Sequence, residues 1–361
     1  MKISICGDVS TQDSGALFIK GDVKALFDDV PSAFAGSNRI LVNLECALTE
    51  KDTPIAKKGP NLKGPLETAK VLREIGVTDC AMSNNHILDY GIPGVADTKA
   101  VLRECGLNYT GFGDNYEASR KNLVMEKDGK RVAIIAVCEH EYCYALENRI
   151  GARPFDPYDT LEDVRHAAAE CDYVVVCYHG GKEQSIYPSP RLRKVCQAMV
   201  RSGADVVLCQ HSHCIGCYEE YEGGHILYGQ GNFHFTGCDD HPHWQSGLIV
   251  ELNIEDKVDI SFIPVKVEGL GITLAKGEDY DALMAMFKEQ SDNLHNGEWL
   301  KGWAEFCEAV KDRYIGNISR AFSDKANSID NEIFCGRMHC EAHKDVIDWL
   351  CKHYWEQREE I

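Results

Sequence analysis

The chain has 361 residues, of which 44% are hydrophobic and 26% are charged, as expected for a globular protein with a large buried core. Its formal net charge of -19 argues against nucleic acid or an anionic membrane surface as the main partner. An anionic substrate would need locally placed cations, and bound metal ions can supply them.

The apolar segments and the cysteines predict a cytoplasmic protein. No apolar run approaches the eighteen or so residues that a membrane span requires. The first residues, MKISICGDVS, lack the apolar region and cleavage site of a secretory signal. The 17 cysteines are odd in number, and several lie in apolar runs (Cys6, Cys138, Cys177 and Cys209), so we expect reduced and mostly buried thiols.

Strand and helix patterns alternate along the first 275 residues, which predicts an α/β fold. Strands are predicted at residues 2–6, 39–44, 78–82, 122–126, 131–138, 172–178, 205–209, 214–221, 225–228, 248–254 and 258–267. Helices are predicted at residues 23–35, 66–75, 93–105, 160–170, 191–201, 280–290, 299–314 and 342–357.

Helical spacing dominates from residue 280 onward, so we predict a main domain over residues 1–275 and a helical C-terminal appendage over residues 276–361. The appendage is rich in aromatic residues such as Trp299 and Trp303. These would suit packing on the main domain or on a second subunit, so an oligomer is possible.

Six candidate metal ligands stand at or just beyond the ends of predicted strands. They are Asp8, Glu45, Asn85, His179, His211 and His213. Ligands of open α/β sheets bind at the carboxyl ends of the strands, so these side chains can converge on one point. Imidazole favours zinc, manganese or iron over calcium, which predicts one or two divalent transition-metal ions. Taken alone, an H-x-H pair is more often two surface-loop histidines, and a Gly-Asp pair is often a turn or a helix cap.

Four further residues are candidates for contact with the substrate. His86 adjoins Asn85 and can serve as a general acid. Asn43 shares a strand face with Glu45, Lys58 lies in the lysine-rich loop at 57–65, and Glu183 follows His179 in HGGKE, so we predict that these three bind substrate. Glu139, His140 and Glu141 follow another predicted strand and can line the pocket, but no spacing rule makes them ligands.

Two cysteine and histidine groups offer alternative zinc sites. Cys214 and Cys217 stand beside His211 and His213, but a single C-x-x-C is a weak signal and would compete for the same histidines. The second group contains Cys335, His339, Cys340 and His343, for which helix-core cysteines and surface histidines are the commoner explanation.

The ordered motifs resemble those of the calcineurin-like metallophosphoesterases, and more closely those of the bacterial capsule-synthesis proteins of the CapA type, associated with poly-gamma-glutamate capsules. The matching pieces are GDVS at Gly7, VNLECALTE at Val42, SNNHILDYG at Ser83, HGGKE at His179, QHSH at Gln210 and YGQGNF at Tyr228. The resemblance implies a four-layer α/β sandwich, with two central sheets flanked by helices and a metal centre at one edge.

The resemblance also implies a role for each candidate. Asp8 and His213 would hold one metal, Asn85, His179 and His211 the other, and Glu45 would bridge them, while His86 would contact the scissile phosphate or protonate the leaving group. The chain departs from the family pattern at four positions, which are Ser10 for a usual histidine, Glu45 for aspartate, Gly180 for tryptophan and Ser212 for proline.

Two functions follow from the resemblance. The first is a metal-dependent hydrolase that acts on a phosphoester or related anionic bond, in a small molecule or a polymer, through a hydroxide activated by one or two metals. The alternative is a non-catalytic accessory protein of poly-gamma-glutamate or capsule polymer synthesis that retains the fold. Retention of Asn85, His86 and the paired histidines favours the hydrolase, whereas Ser10 favours the accessory protein.

Overall fold

The computed structural model describes residues 1–238 and 240–356, in which strands and helices alternate up to residue 274. The strands are β1 Lys2–Ser10, β2 Arg39–Leu44, β3 Ala47–Leu48, β4 Lys63–Gly64, β5 Asp79–Ala81, β6 Asn108–Thr110, β7 Phe112–Gly113, β8 Leu123–Lys127, β9 Lys130–Cys138, β10 Gly151–Ala152, β11 Tyr173–His179, β12 Val206–Gln210, β13 Tyr218–Tyr221, β14 Gly224–Leu227, β15 Asn232–Phe235, β16 Ser246–Ile254, β17 Val258–Glu268 and β18 Gly271–Leu274. The α-helices are α1 Gly15–Lys20, α2 Val23–Phe27, α3 Glu67–Glu74, α4 Gly91–Glu104, α5 Tyr116–Ser119, α6 Pro157–Glu170, α7 Pro190–Arg201, α8 Glu278–Asn296, α9 Trp299–Ala321, α10 Ser328–His339 and α11 Glu341–Glu356, and 3-10 helices cover Val30–Phe34 and Pro242–Gln245.

Two mixed sheets form the centre of the molecule. The first has eight strands in the order β18-β17-β16-β1-β2-β5-β6, with β15 also paired to β1, and the second has six in the order β13-β14-β12-β11-β9-β8. Strands β1, β2, β5 and β6 are parallel to one another, as are β9, β11, β12 and β14. Because parallel neighbours end at the same edge, the carboxyl ends of each parallel set lie together.

The apolar residues divide into an inner core and two outer cores, which makes four layers. Leu41 and Val175 belong to the inner core between the two sheets. The next residue along each strand faces the other way, since side chains alternate. Thus Val42 packs in the outer core with helices α1 to α4, and Val176 packs in the other outer core with α6 and α7. The four-layer α/β sandwich expected from the motifs is therefore confirmed.

Every described element from Glu278 onward is a helix. Helix α8 packs on the first sheet, where the rings of Phe287 and Phe262 lie 4.9 Å apart between centroids. Helices α9 and α11 share an apolar cluster that includes Trp303, Tyr314 and Val346. The helical C-terminal appendage is thus present, while the division into two domains near residue 275 stays a prediction. None of the helices in the described ranges combines the length and apolar character that a bilayer crossing requires.

Most predicted elements are found within a few residues of their expected bounds, and one prediction is wrong. The helix expected over residues 23–35 ends at Phe27, and a separate 3-10 helix follows. Asp28 has a positive φ of 36°, which ends the helix after Phe27. Asp28 and Asp29 instead accept hydrogen bonds from Thr273 of β18. Helix α10 was not predicted, and Gln357, the end of the predicted helix 342–357, lies outside the described residues.

Candidate metal centre

The parallel strand ends bring all six predicted ligands together in the interior. Asp8 lies in β1 and His179 ends β11, while the other four follow β2, β5 and β12. All six side chains are buried. They form two overlapping groups, Asp8 with Glu45 and His213, and Glu45 with His179 and His211, in each of which the ligand atoms lie within 4.8 Å of one another.

Glu45 stands between the two groups. Its Oε1 lies 3.3 Å from Nε2 of His179 and 3.9 Å from Nε2 of His213. On one side Asp8 Oδ2 lies 3.5 Å from Nδ1 of His213, and on the other Nε2 of His179 lies 3.1 Å from Nδ1 of His211. Asn85 completes the second group, since its Oδ1 lies 2.9 Å from Nε2 of His179.

The backbone around the cluster is bent to allow this convergence. His211 and His213 both have positive φ angles, 81° and 55°, which non-glycine residues rarely adopt. The bend turns the two imidazoles inward, and the backbone N–H of His211 donates to Oδ2 of Asp8 over 2.9 Å. A Cβ at Gly7 would meet the carbonyl oxygen of Gly231 at 2.1 Å, so the GDVS and YGQGNF motifs approach each other only because residue 7 is glycine.

Burial sets the protonation of the cluster. It lowers the pKa of His179 and of His213 to about 4 and that of His211 to about 3, so the imidazoles are neutral at pH 7. Burial, and then the charge of Glu45, raises the pKa of Asp8 to about 6. Burial likewise raises the pKa of Glu45 well above its usual value. Neutral imidazoles keep the lone pair that a metal ion requires.

Glu45 provides the test of whether these residues fit a metal ion. Both of its carboxylate oxygens are buried, and neither has a hydrogen-bond partner among residues 1–238 and 240–356. A carboxylate held in the interior without donors is strongly unfavourable. A divalent cation beside it would compensate this charge, and the surrounding nitrogen and oxygen donors are those of transition-metal sites. The residues present therefore fit a metal ion.

His86 lies beside the cluster in a separate charged group. Its Nδ1 is 2.6 Å from Oδ2 of Asp89 and 3.1 Å from Nζ of Lys57. Lys57 also pairs with the other oxygen of Asp89 at 2.5 Å, and its side chain is only 2% exposed. Because Nδ1 lies closer to the carboxylate of Asp89 than to the amine of Lys57, we assign it a proton, which leaves Nε2 of His86 to face a partner outside this group.

The three predicted substrate-binding residues lie in different settings. Asn43 is buried and its Nδ2 contacts Asp8 and His179, at 2.6 Å and 3.0 Å, so its amide holds two of the candidate ligands. Lys58 is exposed, and its backbone N–H donates to the hydroxyl of Tyr142 over 3.2 Å. Glu183 is half-exposed and pairs with Lys182 at 2.7 Å. Contact of these residues with substrate stays a prediction.

Asn232 and Trp244 were not singled out from the sequence, whereas Glu141 was named there only as a residue that can line the pocket. Oδ1 of Asn232 accepts a hydrogen bond from Nδ1 of His213 over 2.9 Å, which leaves Nε2 of His213 free to face Glu45. The ring of Trp244 covers the same histidine at 4.0 Å between centroids. Glu141 also reaches the cluster, where its Oε2 accepts from Nδ2 of Asn85 over 2.8 Å. Asn232 lies in the YGQGNF motif, so that motif was the available signal for it.

The alternative zinc sites find no support in the described ranges. The groups there that can hold a metal ion contain no cysteine. Burial raises the pKa of Cys214 and of Cys217, which disfavours the thiolate form that binds zinc. His343 contacts Tyr314 and Arg337 rather than a cysteine. Cys6, Cys138, Cys177 and Cys209 are buried free thiols, as expected.

The four layers and the buried carboxylate and histidine cluster define an α/β protein with a candidate metal centre at the strand ends. The model of the bacterial capsule synthesis protein PGA_cap matches residues 2–236, and the chain therefore belongs to this family.

The chain is similar to curated and solved proteins over part of its length. It is 32% identical over 192 residues to "Capsule biosynthesis protein CapA" of Bacillus anthracis, covering 52% of this chain and 47% of that protein. It is 30% identical over 215 residues to "PGA biosynthesis protein CapA" of Bacillus subtilis (strain 168), covering 58% and 57%. The chain thus spans about half the length of these curated relatives. A solved 5'-nucleotidase from Candida albicans SC5314 aligns with a TM-score of 0.41 at 10% identity, covering 73% of this chain and 51% of that chain.

Proposed function

We propose that this chain is a metal-dependent hydrolase that cleaves a phosphoester or related anionic bond. The observation that carries the proposal is the pair of unpartnered, buried oxygens of Glu45 among three neutral histidines. In this proposal Asp8 and His213 hold one metal ion, Asn85, His179 and His211 hold a second, and Glu45 contacts both. Such ions, when bound, polarise the scissile bond and lower the pKa of water.

The residues beside the cluster then act on the substrate. His86, which Asp89 orients through Nδ1–H, acts from its doubly protonated form and donates the second proton, carried on Nε2, to the leaving group. Lys57 adds a buried positive charge next to His86, which favours binding of an anionic group in a protein whose net charge is -19. The substrate class is a small anion or an anionic polymer, and the names of the two CapA relatives, which refer to capsule and PGA biosynthesis, support the polymer.

The first test measures metal content of the purified wild type together with hydrolysis of an aryl phosphate. We expect one or two equivalents of zinc, manganese or iron. His211→Ala should lose metal and activity together, since it removes a ligand. His86→Ala should keep its metal and lose most activity, by about 100-fold or more, because it removes only the general acid. A wild type without bound transition metal and without metal-stimulated turnover would refute the hydrolase.

A non-catalytic role in capsule polymer synthesis is the second candidate function. It is favoured by Ser10, whose buried hydroxyl has no hydrogen-bond partner in the described part of the chain. Ser10 also stands where the motif resemblance leads us to expect a histidine. On this view the chain retains the fold and a metal as structure. Metal binding that stabilises the protein, with no turnover in wild type or in Ser10→His, would favour this candidate.

A further inference from the structure

The C-terminal helices contact the candidate metal centre through one carboxylate. Glu141 follows β9 in the main part of the chain, and His343 lies in α11, with its Nε2 3.8 Å from Oε1 of Glu141. The family match ends at residue 236, so His343 and the helices around it lie outside the matched region.

The second carboxylate oxygen of Glu141, Oε2, faces the candidate ligands Asn85 and His211. Oε2 accepts a hydrogen bond from Nδ2 of Asn85 over 2.8 Å and lies 3.8 Å from Nε2 of His211. Since Nδ2 of Asn85 is turned to Glu141, Oδ1 is left on the side of His179. Nδ1 of His211 likewise faces His179, so Glu141 meets the ring nitrogen that points away from the cluster. Carboxylates in such positions orient metal ligands in proteins.

The surroundings of His343 determine which of its nitrogens carries the proton. The hydroxyl of Tyr314 and Nη1 of Arg337 each lie 2.7 Å from Nδ1. Nη1 of Arg337 also lies 3.2 Å from Nε2. Because arginine can only donate and Nη1 is closer to Nδ1, we assign Nδ1 as the acceptor and the imidazole proton to Nε2. The Nε2–H therefore points towards Oε1 of Glu141. Arg337 is itself fixed, because its guanidinium carbon lies 4.3 Å from the centre of the Tyr314 ring and the side chain is buried.

The start of α11 is anchored to the same strand end. The carboxylate of Glu341 accepts from the backbone N–H of His140 over 2.8 Å, and the backbone N–H of Ala342 donates to Glu139 over 3.1 Å. Asp345 of α11 pairs with Arg191 of α7 at 2.8 Å. These contacts on either side of His343 hold it opposite Glu141.

We infer that Glu141 is a positioning residue of the metal centre and that the C-terminal helices complete this centre by holding Glu141 through His343, Tyr314 and Arg337. Glu141 keeps the amide oxygen of Asn85 and Nδ1 of His211 directed at the cluster. The inference rests on the proposed function only in that the centre binds a divalent metal; it does not require that the protein be catalytic.

The test measures Mn²⁺ and Zn²⁺ affinity by calorimetry on the full chain after removal of bound metal by a chelator. Glu141→Ala and His343→Ala should each weaken binding by about 10- to 100-fold, the usual effect of losing a residue that orients a metal ligand. The double variant should bind as weakly as Glu141→Ala alone, since His343 acts through Glu141. His295→Ala is the matched control, because this histidine is exposed in the last turn of α8, and its affinity should equal that of the wild type.

A second comparison separates positioning from packing. His343→Gln can place an amide N–H near the position of Nε2 and should restore most of the affinity, whereas His343→Asn reaches only the position of Nδ1 and should not. If His343→Ala fails to fold, Tyr314→Phe removes a single hydroxyl and should still weaken binding in the same direction.

The outcomes distinguish this inference from the proposed function. A wild type that binds metal, with Glu141→Ala and His343→Ala binding equally well, would overturn the inference and leave the proposed function standing. Additive losses in the double variant, or equal affinities for His343→Gln and His343→Asn, would also overturn it. A wild type that binds no metal would overturn both.

Discussion

Glu45 presents two buried carboxylate oxygens to the cluster without a hydrogen-bond donor for either. Because burial raises its pKa above that of the unfolded chain, the metal-free fold loses stability as the pH rises from about 4.5 towards the folded-state pKa. Glu45→Gln removes this ionisation. In chelator, we expect the variant to unfold at the same temperature as the wild type near pH 5 and to be more stable by about 1–3 kcal/mol near pH 9.

Thermal unfolding followed by circular dichroism at the two pH values measures this difference. The same variant should also bind less metal, since it has lost the carboxylate between the two groups. A wild type that is more stable than Glu45→Gln near pH 9 would show that the carboxylate has a favourable partner in the metal-free protein.

Lys57 and Lys58 form a matched pair for a second prediction. The sequence predicts Lys58 as the substrate contact, but the structure places the buried amine of Lys57 beside His86 and Asp89. Lys57→Ala leaves Asp89 with one charged partner fewer and should lower kcat by about 10-fold or more. Lys58→Ala should leave kcat unchanged, because the Lys58 side chain is exposed.

Steady-state kinetics on an aryl phosphate, with metal content matched, compares the two variants. Equal kcat values for Lys57→Ala and the wild type would contradict the role given to Lys57. A rise in KM alone for Lys58→Ala would support the sequence prediction that Lys58 contacts the substrate.

The sequence predicted the convergence of the six candidate ligands because each stands at the end of a strand, where parallel pairing brings residues of distant sequence position together. It could not predict the pairing of Lys57 with Asp89 or of Glu141 with His343. Those contacts depend on how loops and appended helices fold over the strand ends, and the residues carry no spacing pattern. The positive φ angles of His211 and His213 could not be predicted either, because histidine rarely adopts them.

At the scale of secondary-structure elements, apolar runs and helical periodicity were sufficient for the longer strands and for most of the longer helices. The strands of two to four residues β3, β4, β6, β7, β10, β15 and β18, and helices α1, α5 and α10, were not predicted. Residues 23–35 show where this fails, because the pattern is helical but Asp28 and Asp29 bond to β18, which is distant in sequence. Helix α10 lacks a strong apolar stripe, and its only buried side chain in the described structure is that of Arg337. A helix that buries a charged side chain instead of an apolar stripe does not show the 3.6-residue periodicity of apolar residues by which helices are predicted.

Gly180, which follows β11, is one of the positions where the chain differs from the family pattern, and its surroundings are held by a C-terminal helix. A Cβ at Gly180 would lie 2.6 Å from Glu139 and from Tyr178, and Glu139 is held by Arg191 and by Ala342 of α11. Position 180, where the motif resemblance leads us to expect tryptophan, therefore has no room for a side chain here. Gly180→Ala should lower the free energy of unfolding by about 1–3 kcal/mol.

Gly316→Ala in α9 is the control for this prediction, since the nearest atom to its Cβ is the flexible end of Arg320 at 3.7 Å. Alanine has the higher helix propensity, so this change should stabilise the protein by about 0.5–1 kcal/mol. Urea unfolding of both variants measures the two effects. A neutral Gly180→Ala would show that Glu139 moves easily and that α11 does not fix it.

At the scale of the whole molecule, the net charge of -19 opposes the approach of the anionic substrate that we propose. The cations near the centre act over a short range, since Lys57 is paired with Asp89 and Arg337 is buried against His343. Salt screens the long-range repulsion first, because the Debye length is about 30 Å at 0.01 M and about 8 Å at 0.15 M. We therefore expect kcat/KM for an aryl phosphate to rise severalfold between these two ionic strengths, while kcat changes little.

Initial rates in sodium chloride, repeated in tetramethylammonium chloride to exclude an effect of sodium itself, test this expectation. The change should lie in KM, since repulsion acts on the encounter and not on the bound substrate. A fall in kcat/KM with salt would instead show that the local cations dominate the field at the site. In that case the net negative charge would not keep other anions away from the centre. Substrate selection would then depend on contacts within the site.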